Sequence, residues 1–521
     1  MAQFRIIAGG LIFAYTFILA FGSREGFPSS LSTGANFPFL SDQPVGEDGY
    51  YLMLAAWNLG AGQGLSANFG EIITGVQPLM TIVLAGLARI VQTFGGDKFD
   101  FARAMIVFGG LNAIVFAALC ARIARLATPK DGDDETAATM AFLIGGLSFY
   151  LFRTFTYGLE TGLYLALLAY LIARSLELMP LGRRLTGEAA LRLGLAIGLC
   201  GLARIDFGIV AALAFLILIL VGRVDFSRAV LAGLVALAVT SPWFLWVRSV
   251  SGTFMPTSGP AQASMVDASS ALGRAEAMIA AVFQNLAPWL PTAGNILIGF
   301  AGVAAIAVIA LIAVRRGMGF QRGTGAVLAA WGIGMAVLPF LYFAFFWAGH
   351  FYARYTAPLV MVGVLLPALA FAFLPVRMRG QSVALAFGAF LIVNAMAAWQ
   401  THHRGEIGDG HSVAAGYVAR EIPATAKVGA FQSGVVGFYN SNVINLDGKV
   451  NQAALLALRE KRVEEYLDRA GIDYVIDWEG VIKGLMPRAM ESGQWVRCPR
   501  PVGNLETICV MRRKLAMIQE K

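Results

Sequence analysis

Charged side chains are scarce in this sequence, and so are histidine and cysteine. Asp, Glu, Lys and Arg make up 14% of the 521 residues, against 57% hydrophobic residues, which excludes an ordinary soluble enzyme. The chain has four histidines and four cysteines, with neither an HExxH motif nor a Cys/His cluster. A zinc site is therefore not predicted, because such sites need several His and Cys ligands.

The cysteines fall into two groups. Cys120 and Cys200 lie in apolar runs, where cysteine usually behaves as a small hydrophobic residue. Cys498 and Cys509 flank a Pro/Gly/Asn turn in a polar region. Two alternatives stay open for this second pair, a hairpin disulfide or two unpaired buried thiols.

Hydrophobic residues come in long runs that short basic loops separate. A transmembrane helix needs about 20 such residues, so the chain is predicted to cross a membrane many times. The Arg and Lys clusters return to one side, which gives about eleven crossings with the N-terminus in the cytoplasm and the C-terminus outside. Because the net charge of +8 follows this loop pattern, nucleic-acid binding is not predicted. The predicted spans are 5–21, 101–121, 137–152, 158–176, 190–203, 207–221, 228–248, 293–314, 325–346, 356–374 and 381–399.

Two segments near the N-terminus need separate treatment. The helix predicted at 79–91 follows Pro78 and contains Arg89, and the orientation of the later loops favours a helix in the outer interface over a crossing. The first run, from Phe4 to Ala20, lacks a persuasive small-residue cleavage site, so it is predicted to remain as the first helix.

The composition changes after Gln400, where apolar runs shorten and charged residues multiply. We therefore divide the chain into a transmembrane domain, 1–400, whose first extracytoplasmic loop is 22–100, and a small extracytoplasmic α/β domain, 401–521. Within the latter, periodicity predicts strands at 427–431, 443–446 and 474–478 and a helix at 452–470.

Most of the remaining polar residues fall on the outer side of this topology. Charges at membrane depth are tolerated where they face a cavity and have partners, so these residues predict one shared site. For Arg204 and Asp206, two roles stay open: the two residues form a structural ion pair, or they contact a ligand. For Glu160, two roles also stay open: it compensates a helix dipole, or it belongs to the site together with Arg153. The segments concerned are Asp48, 153–160, 204–206 and 350–354.

Several of these segments share an order with one enzyme class. They read EDGYYLMLAAWNLGAGQGLSANFGEIITGVQP at 47–78, GLET at 158–161, RID at 204–206, HFYARY at 350–355 and SGVVGFYNSNVINLDGKVN at 433–451. Together they resemble the GT-C class of integral-membrane glycosyltransferases, and in particular the branch that includes the arabinofuranosyltransferases. Two positions depart from the pattern of that branch, because Glu47 stands where Asp is common and Ile205 stands where Pro is expected.

The resemblance implies a polytopic α-helical membrane protein with a GT-C-like fold, placed in the bacterial inner membrane. It implies transfer of a monosaccharide, with a pentose such as arabinofuranose as one candidate, from a polyprenyl-phosphate donor to an extracytoplasmic glycan or lipid-linked acceptor. No organic cofactor is expected, while a divalent cation between carboxylates and the lipid phosphate stays open. A lipid-linked saccharide transporter or flippase and a glycan-block ligase are the alternatives, although no paired repeats favour a transporter.

The resemblance also implies roles for individual residues. A carboxylate must take or orient the acceptor hydroxyl proton, and we favour Asp48 over Glu47, with capping of a helix from Gly49 as the alternative for both. The departing phosphate needs cationic partners, for which Arg354 is the best candidate because its guanidinium is planar and bidentate. The residues expected to bind the donor phosphate or sugar are Arg354, His350, Arg153, Tyr157, Glu160, Arg204, Asp206, Glu71 and Gln77.

Overall fold

The structure is a computed structural model that describes residues 1–29, 38–129, 132–179, 184–259, 261, 271–290, 304, 322–345, 353–403, 410–503 and 506–513. Helices dominate the first 403 residues. In chain order they are α1 (Ala2–Gly22), α2 (Glu47–Gly60), α3 (Pro78–Thr93), α4 (Lys98–Ala127), α5 (Asp134–Leu147), α6 (Phe149–Thr156), α7 (Thr161–Leu178), α8 (Gly187–Ala203), α9 (Phe207–Leu220), α10 (Phe226–Ser251), α11 (Ala271–Leu286), α12 (Arg322–Phe345), α13 (Val360–Phe371) and α14 (Val376–His403). Short 3-10 turns occur at Asn68–Gly70 and at Ala353–Leu359.

A smaller mixed region follows, which we call the sheet domain (residues 411–503 and 506–513). Its elements are α15 (His411–Glu421), β1 (Val428–Ala430), α16 (Gly434–Tyr439), β2 (Val443–Asn445), α17 (Gln452–Arg459), α18 (Val463–Ala470), β3 (Tyr474–Trp478), α19 (Glu479–Leu485), α20 (Pro487–Glu491), β4 (Trp495–Arg497) and β5 (Thr507–Arg512).

The prediction of a multi-pass helical membrane protein is confirmed. Within the described residues, seven helices are long and apolar enough to cross a membrane, or eight if the bent pair α5 and α6 forms one span. Helices α10 and α14 bury only 11% and 6% of their most apolar windows inside the protein, so their outer faces need lipid. The number of eleven crossings stays a prediction, and the span predicted at 293–314 lies outside the described residues.

Two predicted helices are broken in the structure. The span predicted at 137–152 bends by 59° between α5 and α6, at Ser148, whose hydroxyl donates to the Ile144 carbonyl. Such side-chain bonds compete with the helical ladder and bend helices. The helix predicted at 452–470 is divided into α17 and α18, and Lys461 between them has a φ of 55°.

Helix α4 is the centre of the membrane part. Asp97 starts it by accepting hydrogen bonds from the backbone N–H groups of Phe99 and Asp100, which satisfies donors that a helix end leaves free. Its apolar length then packs against α1, α5, α6 and α7.

The sheet domain contains a five-stranded sheet in the order β2-β1-β3-β5-β4. Strand β1 pairs in parallel with β2 and β3, and β5 pairs antiparallel with β3 and β4. Cys498 and Cys509 form a disulfide across β4 and β5, with their Cα atoms 5.4 Å apart. Of the two alternatives for these cysteines, the structure therefore shows the disulfide.

Aromatic side chains join the sheet domain to the first loop. Tyr439 of α16 packs on Phe99 of α4, with ring centroids 4.6 Å apart, and on Tyr50 of α2, at 5.6 Å. Tyr50 also lies against Phe438. The two parts share one hydrophobic core as a result.

Candidate active site

The N-terminus of α2 lies directly on the turn between α6 and α7. The backbone N–H of Gly46 donates to the Tyr157 carbonyl at 3.1 Å. A Cβ atom on Gly49 would lie 2.3 Å from the same carbonyl oxygen, so only glycine permits this approach. Gly158 follows with a φ of 89°, a left-handed conformation that glycine adopts readily. Asp48 is thereby held beside the turn.

Asp48 is paired with two cations from distant parts of the chain. Its Oδ2 lies 2.8 Å from Nη1 of Arg354, in the 3-10 turn that leads into α13, and its Oδ1 lies 3.2 Å from Nζ of Lys449, in the loop after β2. All three side chains are only about one-fifth exposed, at 19%, 20% and 22%. Burial by itself would raise the pKa of Asp48, but Arg354 and Lys449 more than offset it and hold that pKa below its ordinary value.

Lys449 bridges Asp48 to a second carboxylate. Its Nζ lies 3.3 Å from Oδ2 of Asp447, whose side chain is 1% exposed. The hydroxyl of Tyr51 donates to the same carboxylate at 3.2 Å, and the side-chain amide of Asn445 donates to its other oxygen at 2.8 Å. Burial would lower the pKa of Lys449, yet the two carboxylates raise it. The Lys449 ammonium group therefore stays charged between the two carboxylates.

Glu47 has a different environment from its neighbour. Its carboxylate accepts the backbone N–H groups of Gly434 and, at 2.8 Å, of Val435, at the start of α16. Helix α2 itself begins at Glu47, and its N-cap residue Gly46 makes no side-chain capping bond. Capping of a helix that starts at Gly49, the alternative we considered for both acids, is not what the structure shows.

A cavity of about 260 Å³ is lined by Arg354, the residue that forms the ion pair with Asp48. Arg153 and Tyr157, both predicted site residues, line it together with Arg354. The Arg153 side chain is exposed and makes neither an ion pair nor a hydrogen bond with the part of the chain that the structure describes. The remaining wall is mostly apolar and consists of Tyr150, Leu151, Thr154, Leu159, Thr161, Leu165, Asn285, Ala353, Ala357 and Val360.

Arg204, Glu160 and Asp206 form a buried ionic cluster. Arg204 pairs with Glu160 at 3.1 Å and with Asp206 at 2.8 Å, and both Glu160 and Arg204 are 5% exposed. Asp206 accepts the hydroxyl hydrogen of Tyr342 at 2.5 Å. The bonds of Arg204 match the structural ion pair that we considered for this hairpin, while a phosphate contact stays a prediction.

An aromatic stack connects this cluster to Arg354. The rings of Tyr342 and Tyr355 are parallel within 9° and 4.7 Å apart. The guanidinium carbon of Arg354 lies 5.5 Å from the Tyr355 ring centroid, within the range of a cation–π contact. Arg354 thus contacts both the Tyr355 ring and the Asp48 carboxylate.

Three predicted site residues lie elsewhere or cannot be placed. Glu71 lines a second, very small cavity of about 10 Å³ against the sheet domain, and Gln77 is the N-cap residue of α3. Among contacts of the described residues, neither reaches Asp48. Before Glu71 the chain makes a 3-10 turn, in which Phe69 has a φ of 59° and the Asn68 amide donates to three sheet-domain carbonyls. His350 lies outside the described residues.

Sequence reasoning missed Lys449, Asp447 and Tyr51. A signal for the first two was present, because opposite charges flank Gly448 within an otherwise apolar stretch of the sequence. For the divalent cation, the described residues contain no group of three or more His, Cys, Asp or Glu side chains arranged to hold a metal.

Comparison with known proteins identifies solved structures with a similar fold. No protein-family model and no curated protein sequence matches the chain. The solved structure of ArnT from Cupriavidus metallidurans, bound to undecaprenyl phosphate, is similar at 13% identity and a TM-score of 0.59, covering 97% of both chains. The oligosaccharyltransferase AglB from Archaeoglobus fulgidus, with an inhibitory peptide and a dolichol-phosphate, is similar at 11% identity and a TM-score of 0.52, over 92% of this chain and 70% of that one.

A second structure of the Archaeoglobus fulgidus enzyme, tethered to an acceptor peptide, gives a TM-score of 0.51 at 12% identity, over 92% of this chain and 69% of that one. Identities this low establish shared architecture only. The prediction of fold class is confirmed by them: this chain has the fold of the GT-C glycosyltransferases.

Proposed function

We propose that this chain is a membrane glycosyltransferase that moves a monosaccharide from a polyprenyl-phosphate carrier to an extracytoplasmic glycan or lipid-linked acceptor. The observation that carries the proposal is the Asp48–Arg354 ion pair at the wall of a largely apolar cavity. This pair places a carboxylate that could act on the acceptor in direct contact with a guanidinium that could bind the phosphate. Two proteins with this fold hold lipid phosphates, undecaprenyl phosphate in ArnT and dolichol-phosphate in AglB.

The transfer reaction needs one proton acceptor and one phosphate ligand. Asp48 would take the proton of the acceptor hydroxyl as its oxygen forms a bond to the anomeric carbon of the sugar. The bond from that carbon to the phosphate oxygen breaks, and its electron pair leaves with the polyprenyl phosphate. Arg354 would bind this phosphate, with Arg153 as a second cation across the cavity.

Charge conservation explains why a carboxylate paired with cations can serve as the base. A phosphodiester and ionised Asp48 together carry two negative charges before transfer. A phosphate monoester and protonated Asp48 carry the same two charges afterwards. As the proton reaches Asp48, that residue needs its cations less and the phosphate needs them more. Arg354, which contacts Asp48 and also lines the cavity, is placed to act on both.

The cavity size favours a single sugar over a glycan block. Its volume of about 260 Å³ lies just below the range of ligand pockets, which span about 300–1,000 Å³. That space suits one monosaccharide head group, which disfavours the glycan-block ligase alternative. A pentose such as arabinofuranose is supported by the sequence resemblance alone.

We place the protein in the bacterial inner membrane, with its N-terminus in the cytoplasm and its site and C-terminal domain, 401–521, outside. The Arg- and Lys-rich short loops support this orientation. The Cys498–Cys509 disulfide supports it as well, because disulfides persist outside the reducing cytosol.

The experiment is a transfer assay with the purified protein in nanodiscs and a panel of polyprenyl-phosphate monosaccharides, with mass spectrometry of released polyprenyl phosphate and product. Asp48→Asn should lower the rate by about 10²–10⁴-fold, as expected for loss of a general base, while the variant still folds and unfolds cooperatively on heating. The matched control is Asp468→Asn, at an exposed ion pair in the sheet domain, which should transfer like wild type. Full activity of Asp48→Asn would refute the proposal, and so would movement of labelled lipid between leaflets without release of polyprenyl phosphate, which indicates a transporter.

A further inference from the structure

Lys449 is fixed in place by contacts to both its backbone and its side chain. Its carbonyl accepts the Thr257 hydroxyl at 2.9 Å, and its N–H donates to Asp447 at 2.8 Å. A Cβ atom on Gly75 would lie 2.1 Å from the same carbonyl, so the first loop encloses this residue closely. The ammonium group lies 5.3 Å from the Tyr51 ring centroid. Such a held side chain is not an incidental surface cation.

We propose that Lys449 is a positioning residue of the active site, which holds the Asp48 carboxylate in one orientation through a direct ion pair. The inference rests on the proposed glycosyl transfer. It assigns to the sheet domain a part in building the site, since Lys449 lies in the loop after β2 while Asp48 lies in the first turn of α2, 401 positions earlier in the sequence.

The two cations on Asp48 differ in what else they face. Arg354 lines the cavity, where the phosphate would lie. Lys449 is not among the cavity residues and has Asp447 as its second counterion, at 3.3 Å. When Asp48 accepts a proton and becomes neutral, Arg354 can pair with the phosphate. Lys449 then remains paired with Asp447 and does not need to move. Lys449 therefore acts through Asp48 and not on the substrate.

Other charged groups around Asp48 are already engaged. Glu47, on the same helix, is bonded to the start of α16, and the hydroxyl of Tyr51 is bonded to Asp447. On the side of α7, Glu160 is paired with Arg204. The titratable and charged groups that face this part of the site from the packed elements are Glu47 and Tyr51 of α2, Asp447 and Lys449 after β2, Arg354 before α13, and Glu160 at the start of α7.

The test compares Lys449→Met, Lys449→Arg and a matched control, Lys427→Met, in pH profiles of transfer from pH 3 to 8. Wild type should show no acid limb in this range, because the folded-state pKa of Asp48 lies well below its ordinary value. Removing one of two cations should raise that pKa by about 1–3 units for a neighbouring charge, so an acid limb should enter the profile of Lys449→Met. Lys449→Arg should restore the wild-type profile. Lys427 donates to the Ala470 carbonyl within the sheet domain and lies over the Phe69 ring of the first loop. It does not contact Asp48, so its variant should keep the wild-type profile.

A second measurement keeps the proposal separable from the proposed function. A thermal-unfolding double-mutant cycle of Lys449→Met and Asp48→Asn needs no sugar donor, and it should show that the two losses are not additive. Additive losses, or a Lys449→Met profile without an acid limb, would overturn the role of Lys449. Absence of transfer with every donor, together with clear coupling in the cycle, would instead remove the proposed function and keep the Lys449–Asp48 interaction.

Discussion

Replacing Gly49 by alanine should separate Asp48 from Arg354 without touching either. The added Cβ would lie 2.3 Å from the Tyr157 carbonyl oxygen and 3.0 Å from the Cα of Gly158. Both are backbone atoms that cannot rotate away. Because unbonded carbon atoms need about 3.5 Å, α2 has to retreat by about 1 Å from this turn.

That displacement has a cost in rate and in stability. A 1 Å shift would lengthen the 2.8 Å contact between Asp48 and Arg354 beyond hydrogen-bond range. Misplacement of about 1 Å lowers an enzymatic rate by about 10²-fold, and overpacking costs about 1–3 kcal/mol of unfolding free energy. We therefore expect Gly49→Ala to lose about 99% of transfer and to melt at lower temperature.

The assay pairs donor turnover with thermal unfolding in detergent, and Gly86→Ala is the control. Gly86 lies in α3, and a Cβ there has no other atom within 4 Å, so this variant should be neutral or gain about 0.4–1 kcal/mol from a less flexible unfolded chain. If Gly49→Ala transfers sugar and melts like wild type, the close contact between α2 and the Tyr157 turn does not position Asp48.

Three further predictions concern stability. Glu47→Ala leaves two backbone N–H groups of α16 without an acceptor and should cost about 1–3 kcal/mol; an unchanged melting temperature would contradict this. The stabilisation from Asp48 should be complete above its ordinary pKa of about 3.9 and be lost as the pH falls through its lowered folded-state pKa. The melting-temperature gap between wild type and Asp48→Asn should thus narrow only below about pH 4, and narrowing between pH 5 and 7 would be inconsistent with the ion pairs. Reducing Cys498–Cys509, which closes a loop of sequence separation 11, should lower the unfolding free energy by about 3 kcal/mol, as denaturant titration with and without reductant would reveal.

Hydrophobic runs predicted the individual helices well. The span predicted at 158–176 corresponds to α7, and the one at 207–221 corresponds to α9 within one residue at its end. Run length and composition determine such helices locally. The bend at Ser148 was not predictable in this way, because a serine within a helix bends it or leaves it straight according to its tertiary neighbours.

The site was predictable only in part, because contacts between distant parts of the chain determine the environment of its residues. The resemblance pointed to Asp48 and Arg354, which are 306 positions apart in the sequence and form an ion pair in the structure. It could not distinguish Asp48 from Glu47, because their difference arises from the sheet domain, which offers N–H groups to one and an ammonium to the other. The role predicted for Glu71 stays a prediction; in the structure this residue follows a left-handed turn at Phe69 and lines a small cavity against the sheet domain.

The first-loop acids and their sheet-domain partners lie at opposite ends of the chain. Ribosomes deliver Glu47 and Asp48 to the membrane long before residues 434–449 are synthesised, and these later residues hold both carboxylates in the finished protein. A chain that stops ahead of Lys449 lacks this partner of the Asp48 carboxylate. Under the proposed function, such a truncated product should insert into the membrane and show no transfer, so the site is completed only when the sheet domain has been synthesised.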